Sequence, residues 1–244
     1  MCFQTQLVLE FTRGDAYWNK RILEDVRANA TFHHASAFDR HPWPVITAED
    51  PEIVQLMRCG FVPKQMTDEA SFLKQYSTYN AKSEEIYEKR TFAKAAQEGR
   101  RCLIPVTGFF EWMHLGKQKI PHFIFKRGGG IFHLGGLYEN GTYAILTTAA
   151  NERMAQIHNS KLRMPVIVPE GSERRWLDRN LMKEEVLDLC RPAPETYLDD
   201  HPVGKLITTR GAQTNVPEVW AEHDYPELRS DLTDPAIPTT GTLF

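Results

Sequence analysis

From residue 102 onward the chain is written in short apolar or alternating runs, CLIPVTGFFEW, HFIFK, IFHLGGLY, YAILTT and PVIV, bounded by glycine and proline. Runs this brief, rich in β-branched and aromatic residues, suit strands better than packed helices. Asn140-Gly141 falls between two of them and is a favoured pair for a two-residue hairpin turn, since both positions need positive φ. The series predicts an antiparallel sheet or partly closed β-barrel. Helical patterns at 150–157 and 173–189 would pack outside it, which makes the class α+β.

Upstream the pattern is mixed. Trp18, Ile22 and Val26 recur at a spacing of four, predicting a helix over 15–27 with Asp15 as N-cap. Residues 32–47 hold two X-Pro steps and end in an apolar run, which reads as a loop leading into a strand. Segment 53–62 has strand character, and 84–98 has helix propensity closed by Gly99. A chain of 244 residues suits one domain, placed at 1–221. The segment 222–244 is acidic and proline-rich and is expected to be loosely held.

The formal net charge of -3 argues against a protein that coats nucleic acid without discrimination, because phosphate neutralisation dominates such binding. A local basic groove is left to Lys82, Lys89 and Arg90, to Arg100 and Arg101, or to Lys161 and Arg163, although each cluster taken alone reads more readily as a solvated face. No run approaches the roughly 20 apolar residues that span a bilayer. The start lacks the basic and apolar parts of a cleavable signal, so the native N-terminus is expected near residue 1 or 2, in the cytoplasm. Cys2, Cys59, Cys102 and Cys190 are widely spread without a C-x-x-C pair, suggesting neither a zinc site nor a disulfide framework.

Cys2 follows the initiator methionine, and loss of Met1 would leave an α-amine and a thiol on one carbon skeleton. With ordinary pKa values of about 7.7–8.0 and 8.5, both nucleophiles are partly available near neutrality. The amine alone forms a reversible imine with an aldehyde; a neighbouring thiol can add to that imine and close a five-membered thiazolidine. The same thiol is also suited to attack on an amide, with the α-amine as base. Taken alone, a cysteine at position 2 is commonly incidental.

Three other residues have a chemical and an ordinary reading. Glu111 ends an apolar run between a Phe pair and Trp112, where desolvation would lift its pKa toward the range of acid and base catalysis; it would serve equally as half of an ion pair. Asn80 precedes a helical pattern and would suit an N-cap. His158 follows the helix-like ANERMAQI and lies near Lys161 and Arg163, as an ordinary surface histidine would.

Together these segments resemble the SOS response-associated peptidase (SRAP) family of abasic-site processing proteins. The matching text is Met1-Cys2, CGFVP (59–63), NAKSEE (80–85), RCLIPVTGFFEW (101–112), HFIF (122–125), GGLYE (135–139), ILTTAAN (145–151) and IH with RMPVIV (157–168), in order across most of residues 2–170. The resemblance implies recognition of abasic sites in single-stranded DNA and a thiazolidine cross-link to the sugar aldehyde, with self-cleavage of the initiator Met. It makes Cys2 the nucleophile, Asn80 the residue orienting its amine, Glu111 the proton carrier and His158 an aid to sugar-ring opening. Lys82, Arg163 and Thr147 would face DNA. It implies no metal or other cofactor, no membrane, a monomer, and association with the nucleoid when DNA is bound.

The chain also departs from the family pattern. Cys-Gly-Arg becomes Cys2-Phe3-Gln4, Cys59 and Gln65 stand at tryptophan positions, and Lys82 replaces an arginine that would grip phosphate bidentately. His158 lies five residues before Arg163 where a spacing of two is usual. Two alternatives accompany this reading: an N-terminal-nucleophile amidohydrolase or peptidase, and a single-stranded DNA or protein-binding module without turnover.

Overall fold

The computed structural model describes residues 2–8, 21–22 and 31–230. Its first strands are β1 (Gln4–Leu7), β2 (Arg21–Ile22), β3 (Phe32–Ser36), β4 (Pro42–Thr47), β5 (Ile53–Cys59) and β6 (Asn80–Lys82). The predicted series from 102 becomes β7 (Arg101–Val106), β8 (Gly108–Leu115), β9 (Gln118–Lys126), β10 (Phe132–Glu139), β11 (Thr142–Ala149) and β12 (Arg163–Pro165), followed by β13 (Leu198–Pro202). The helices are α1 (Glu69–Gln75), α2 (Arg90–Gln97), α3 (Glu152–Ile157), α4 (Glu173–Trp176), α5 (Lys183–Leu189) and α6 (Pro226–Ser230). The α+β class with a partly closed, mainly antiparallel sheet is what the sequence predicts.

Closure comes through β11. The order β11-β10-β7-β4-β5 is completed by a short parallel pairing of β5 with β11, Thr142 to Arg58 and Tyr143 to Cys59. β6 then continues that parallel edge, placing Asn80 against Ile145 and Lys82 against Thr147, while β12 takes the opposite edge. A second sheet runs β13-β9-β8-β1-β3. Its inner face, with Leu7, Phe109 and Ile124, shares a core with Trp43, Val45, Ile104 and Ile145 of the ring. The other face of the ring, with Ile46, Leu103, Leu137 and Leu146, is covered by Phe92 of α2, Trp176 of α4 and Val186 of α5.

Local chemistry explains the turns. Asn140 (φ 51°) and Gly141 (φ 66°) make the predicted hairpin between β10 and β11. β8 begins at Gly108, where an added Cβ would fall 2.2 Å from the Phe123 ring and 2.9 Å from the Ile124 carbonyl oxygen. Only glycine admits β9 that closely.

Several expectations are corrected. The helix predicted over 15–27 lies outside the described residues except for Arg21–Ile22, which form a strand parallel to β5. Residues 32–47 are strand, one 3-10 turn and strand, not loop then strand. Pro42 and Pro44 are tolerated because β4 meets β7 only at Ile46 and Thr47, so the proline stretch has no ladder to supply on that side. The helix predicted over 84–98 begins at Arg90; before it, Lys82 and Lys89 both bind Glu85, at 2.8 Å each, across a 3-10 turn. The 173–189 helix is two, interrupted where Asp178 Oδ1 accepts from the Asn180 backbone N–H. In the segment from 222, Tyr225 is buried and its hydroxyl donates to the Val203 carbonyl at 2.9 Å. Among the described residues no helix is long and apolar enough to cross a membrane.

Candidate active site at the N-terminal cysteine

β1 is the element that places Cys2. It pairs antiparallel with β8, Gln4 opposite Phe110 and Thr5 opposite Phe109, so the same register carried toward the N-terminus brings Phe3 and Cys2 alongside Glu111 and Trp112. Cys2 is 1% exposed and lies in the shared core. From the ring side, β6 brings Asn80, whose Nδ2 donates to the Cys2 carbonyl oxygen at 3.1 Å. The Asn80 Oδ1 is buried and has no hydrogen-bond partner among the described residues, which leaves an acceptor beside the cysteine backbone.

Glu111 supplies the charge. It is 3% exposed, and burial pushes its carboxyl up to about 7. Near neutral pH such a group is half protonated and able both to give and to take a proton. Burial also pushes the Cys2 thiol well up, and the Glu111 charge adds to that rise. The thiol therefore stays protonated until a base removes its proton. Cys59 and Cys190 are pushed up to about 12, chiefly by burial, whereas Cys2 also feels the charge of Glu111.

His158 caps the C-terminus of α3. Its Nδ1 lies 2.8 Å from the Arg163 carbonyl oxygen, and its Nε2 lies 3.8 Å from Glu111 Oε2. The residues between His158 and Arg163 form a turn, with Lys161 and Leu162 backbone N–H groups donating to the His158 carbonyl, so the longer spacing still returns the ring to Glu111. Burial lowers the His158 pKa, favouring the neutral ring. Cys2, Asn80, Glu111 and His158 thus converge from four elements on one buried spot.

The three residues expected at DNA are placed differently. Lys82 is 53% exposed and pairs with Glu85 at 2.8 Å. Arg163 is held by Glu84 through two bonds, 2.7 and 2.8 Å, and by the Thr147 carbonyl at 2.6 Å. Thr147 is buried, its hydroxyl 3.4 Å from the Ala81 carbonyl oxygen. It supports Arg163 from beneath the surface. Of the other basic candidates, Arg101 is fully buried against the Trp176 carbonyl, and Arg100 pairs with Glu139 at 2.8 Å.

An aromatic cluster escaped the sequence reading. Phe3 lies 5.0 Å from Phe38 and 6.2 Å from Tyr79, and Phe38 lies 5.0 Å from Tyr79, measured between ring centroids. Phe38 is 55% exposed. Its three members are distant in sequence, and no local pattern joins them. Among the described residues no cluster of His, Cys, Asp or Glu suits a metal ion.

The model of the SOS response associated peptidase family, SRAP, matches residues 1–210, which takes in every residue of this site. The chain belongs to the SRAP family. SRAP relatives include the abasic site processing protein YoqW of Bacillus subtilis, 32% identical over 68% of this chain and 75% of that protein. The yeast abasic site processing protein YMR114C is 30% identical over 59% of this chain and 40% of its own length. The frog protein HMCES, also named an abasic site processing protein, is 26% identical over 69% of this chain and 57% of its own. A solved protein from Bacteroides thetaiotaomicron superposes with a TM-score of 0.81 at 27% identity, covering 91% of this chain and all of that one. One from Bordetella bronchiseptica, 22% identical with a TM-score of 0.69, shares the SRAP fold over 83% of this chain and all of its own.

Proposed function

We propose that this protein recognises abasic sites in single-stranded DNA and joins itself to the sugar aldehyde through Cys2. The observation that carries the reading is the convergence of Asn80, Glu111 and His158 on Cys2. The names of its SRAP relatives point to the same lesion.

Hydrolysis of the Met1–Cys2 amide frees the Cys2 amine, with Asn80 Oδ1 ready to accept one of its N–H bonds. His158 assists opening of the sugar ring to its aldehyde. The amine nitrogen attacks the aldehyde carbon, and Glu111 in its acid form gives a proton to the hydroxyl that leaves as water. Loss of water leaves an iminium; the carboxylate takes the proton of the Cys2 thiol and keeps it as sulfur adds to the iminium carbon, while the electron pair of the C=N bond returns to nitrogen, so Glu111 regains its acid form. The product is a thiazolidine, and Glu111 ends ready for the next transfer. Holding these groups in contact lowers the entropic part of the barrier. We assign removal of Met1 to the same thiol and carboxylate, in keeping with the peptidase of the family's name.

Incubation with a single-stranded oligonucleotide carrying one abasic site, followed by a denaturing gel, tests the reading. A slow-migrating band is expected with the lesion and not with the intact strand. No band with protein lacking Met1 would defeat it.

Arg163 bears on the grip. Its guanidinium is occupied by Glu84, so a phosphate must displace that carboxylate. Glu84→Gln should tighten binding to single strands several-fold and steepen the salt dependence by about one unit of slope, since one more cation is free to release counterions. Fluorescence anisotropy at two salt concentrations reads both. An unchanged affinity would remove Arg163 from the DNA path.

A further inference from the structure

Across the β8–β9 ladder, Glu111 stands directly opposite His122. Directly opposed residues of an antiparallel pair carry their side chains on one face, with Cβ atoms about 5 Å apart. That face is the one on which Phe109 and Ile124, the pair two residues away, enter the core containing Cys2, whereas Phe110 and Phe123 enter a separate core behind. His122 is 2% exposed. Its Nδ1 lies 3.0 Å from Asp200 Oδ1 on β13, and Arg153 of α3 clamps that carboxylate with two bonds of 2.8 Å. Burial works against the Asp200 charge, yet hydrogen bonds from His122 and Arg153 hold its carboxyl at about 2. In the neutral ring a carboxylate at Nδ1 keeps the proton there and makes Nε2 the acceptor. Nε2 is buried without a hydrogen-bond partner among the described residues, and a buried acceptor without a donor is costly.

We propose that His122 is a positioning residue for Glu111: Asp200 and Arg153 fix its ring so that Nε2 accepts, across one bridging water, the hydrogen bond of the Glu111 carboxyl group and keeps that group in its acid form beside Cys2. The inference rests on Glu111 acting as the acid in the reaction proposed above. α3 then braces the carboxyl twice, through Arg153 at its first turn and His158 at its end. The groups facing Glu111 are Cys2, the amino-terminal charge, His158 and His122, with Asp200 and Arg153 standing behind the last.

The test titrates Glu111 itself in the DNA-free protein, by NMR of carboxyl-labelled glutamate assigned through Glu111→Gln. In His122→Phe the Glu111 midpoint should fall by about one unit, leaving about tenfold less acid form on the alkaline side. The alkaline limb of the single-turnover cross-linking rate should move down with it. His122→Gln, whose Oε1 can accept the same hydrogen bond, should recover most of the shift. Where His122→Phe fails to fold, Asp200→Asn reads the same coupling, because the ring is then free to carry its proton on Nε2 and donate to the carboxylate, again lowering the midpoint. An unmoved midpoint in the folded variants, with rates falling only in step with melting temperature, would make His122 structural and overturn the proposal. Failure of the wild type to cross-link defeats the proposed function instead, and the NMR titration still decides the role of His122.

Discussion

Cys2→Ala should lose the heat-stable DNA adduct by roughly a hundredfold or more while keeping a weaker covalent chemistry. With Met1 removed by an aminopeptidase, alanine at position 2 still presents an α-amine, so an imine can form and revert, but no sulfur is present to close the ring. Adding borohydride should therefore rescue a band, because hydride addition to the imine carbon leaves a stable secondary amine. Denaturing gels with and without the reductant separate the two nucleophiles. A heat-stable band of wild-type strength without reductant would show that sulfur plays no part. Rescue is also informative about placement, since it requires the amine to remain where Asn80 holds the Cys2 backbone.

Glu111→Gln should slow cross-linking by about 10²–10⁴-fold, the usual range for loss of a general acid or base, and should stabilise the fold above neutrality. The folded-state pKa of about 7 lies above the ordinary carboxyl value because burial penalises the charge. Between those two values the native state holds a proton that the unfolded chain has released, so stability falls as pH rises through this window. Below about pH 4.5 both states are protonated and glutamine gains nothing. Above about pH 7 the full penalty applies, up to about 3 kcal/mol for a shift of this size. Denaturant midpoints for both proteins at pH 4.5 and pH 8 check the sign. A stability difference that does not change with pH would mean Glu111 is not buried as a costly charge. Mass spectrometry of the same variant reads Met1: retention in Glu111→Gln and loss in wild type supports self-cleavage over removal by an aminopeptidase.

The strands from 102 onward were legible because each is short, apolar and punctuated, and because Asn140-Gly141 specifies its turn without help from tertiary contacts. The 32–47 region was not, since the cost of Pro42 and Pro44 depends on whether a neighbouring strand needs their N–H groups, which only the sheet order decides. Cys2, Asn80, Glu111 and His158 were found through motifs, while their convergence depends on β1 and β6 pairing with strands more than sixty residues away. His122 was in plain view within HFIF, but as an alternating strand residue it carried no signal. Its partner Asp200 lies 78 positions further on. For the basic residues, a charge run gives no sign that Glu84, Glu85 and Glu139 sit within reach to pair with them.

The depth at which Cys2 is set has a consequence for discrimination. In the proposed reaction Cys2, a residue 1% exposed, is less accessible to an intact nucleotide, whose base fills the space around the sugar carbon to be attacked. A sugar that has shed its base is slimmer on that side. On that reading burial acts as a sieve that admits the damaged unit by what it lacks, without a single base needing to be read.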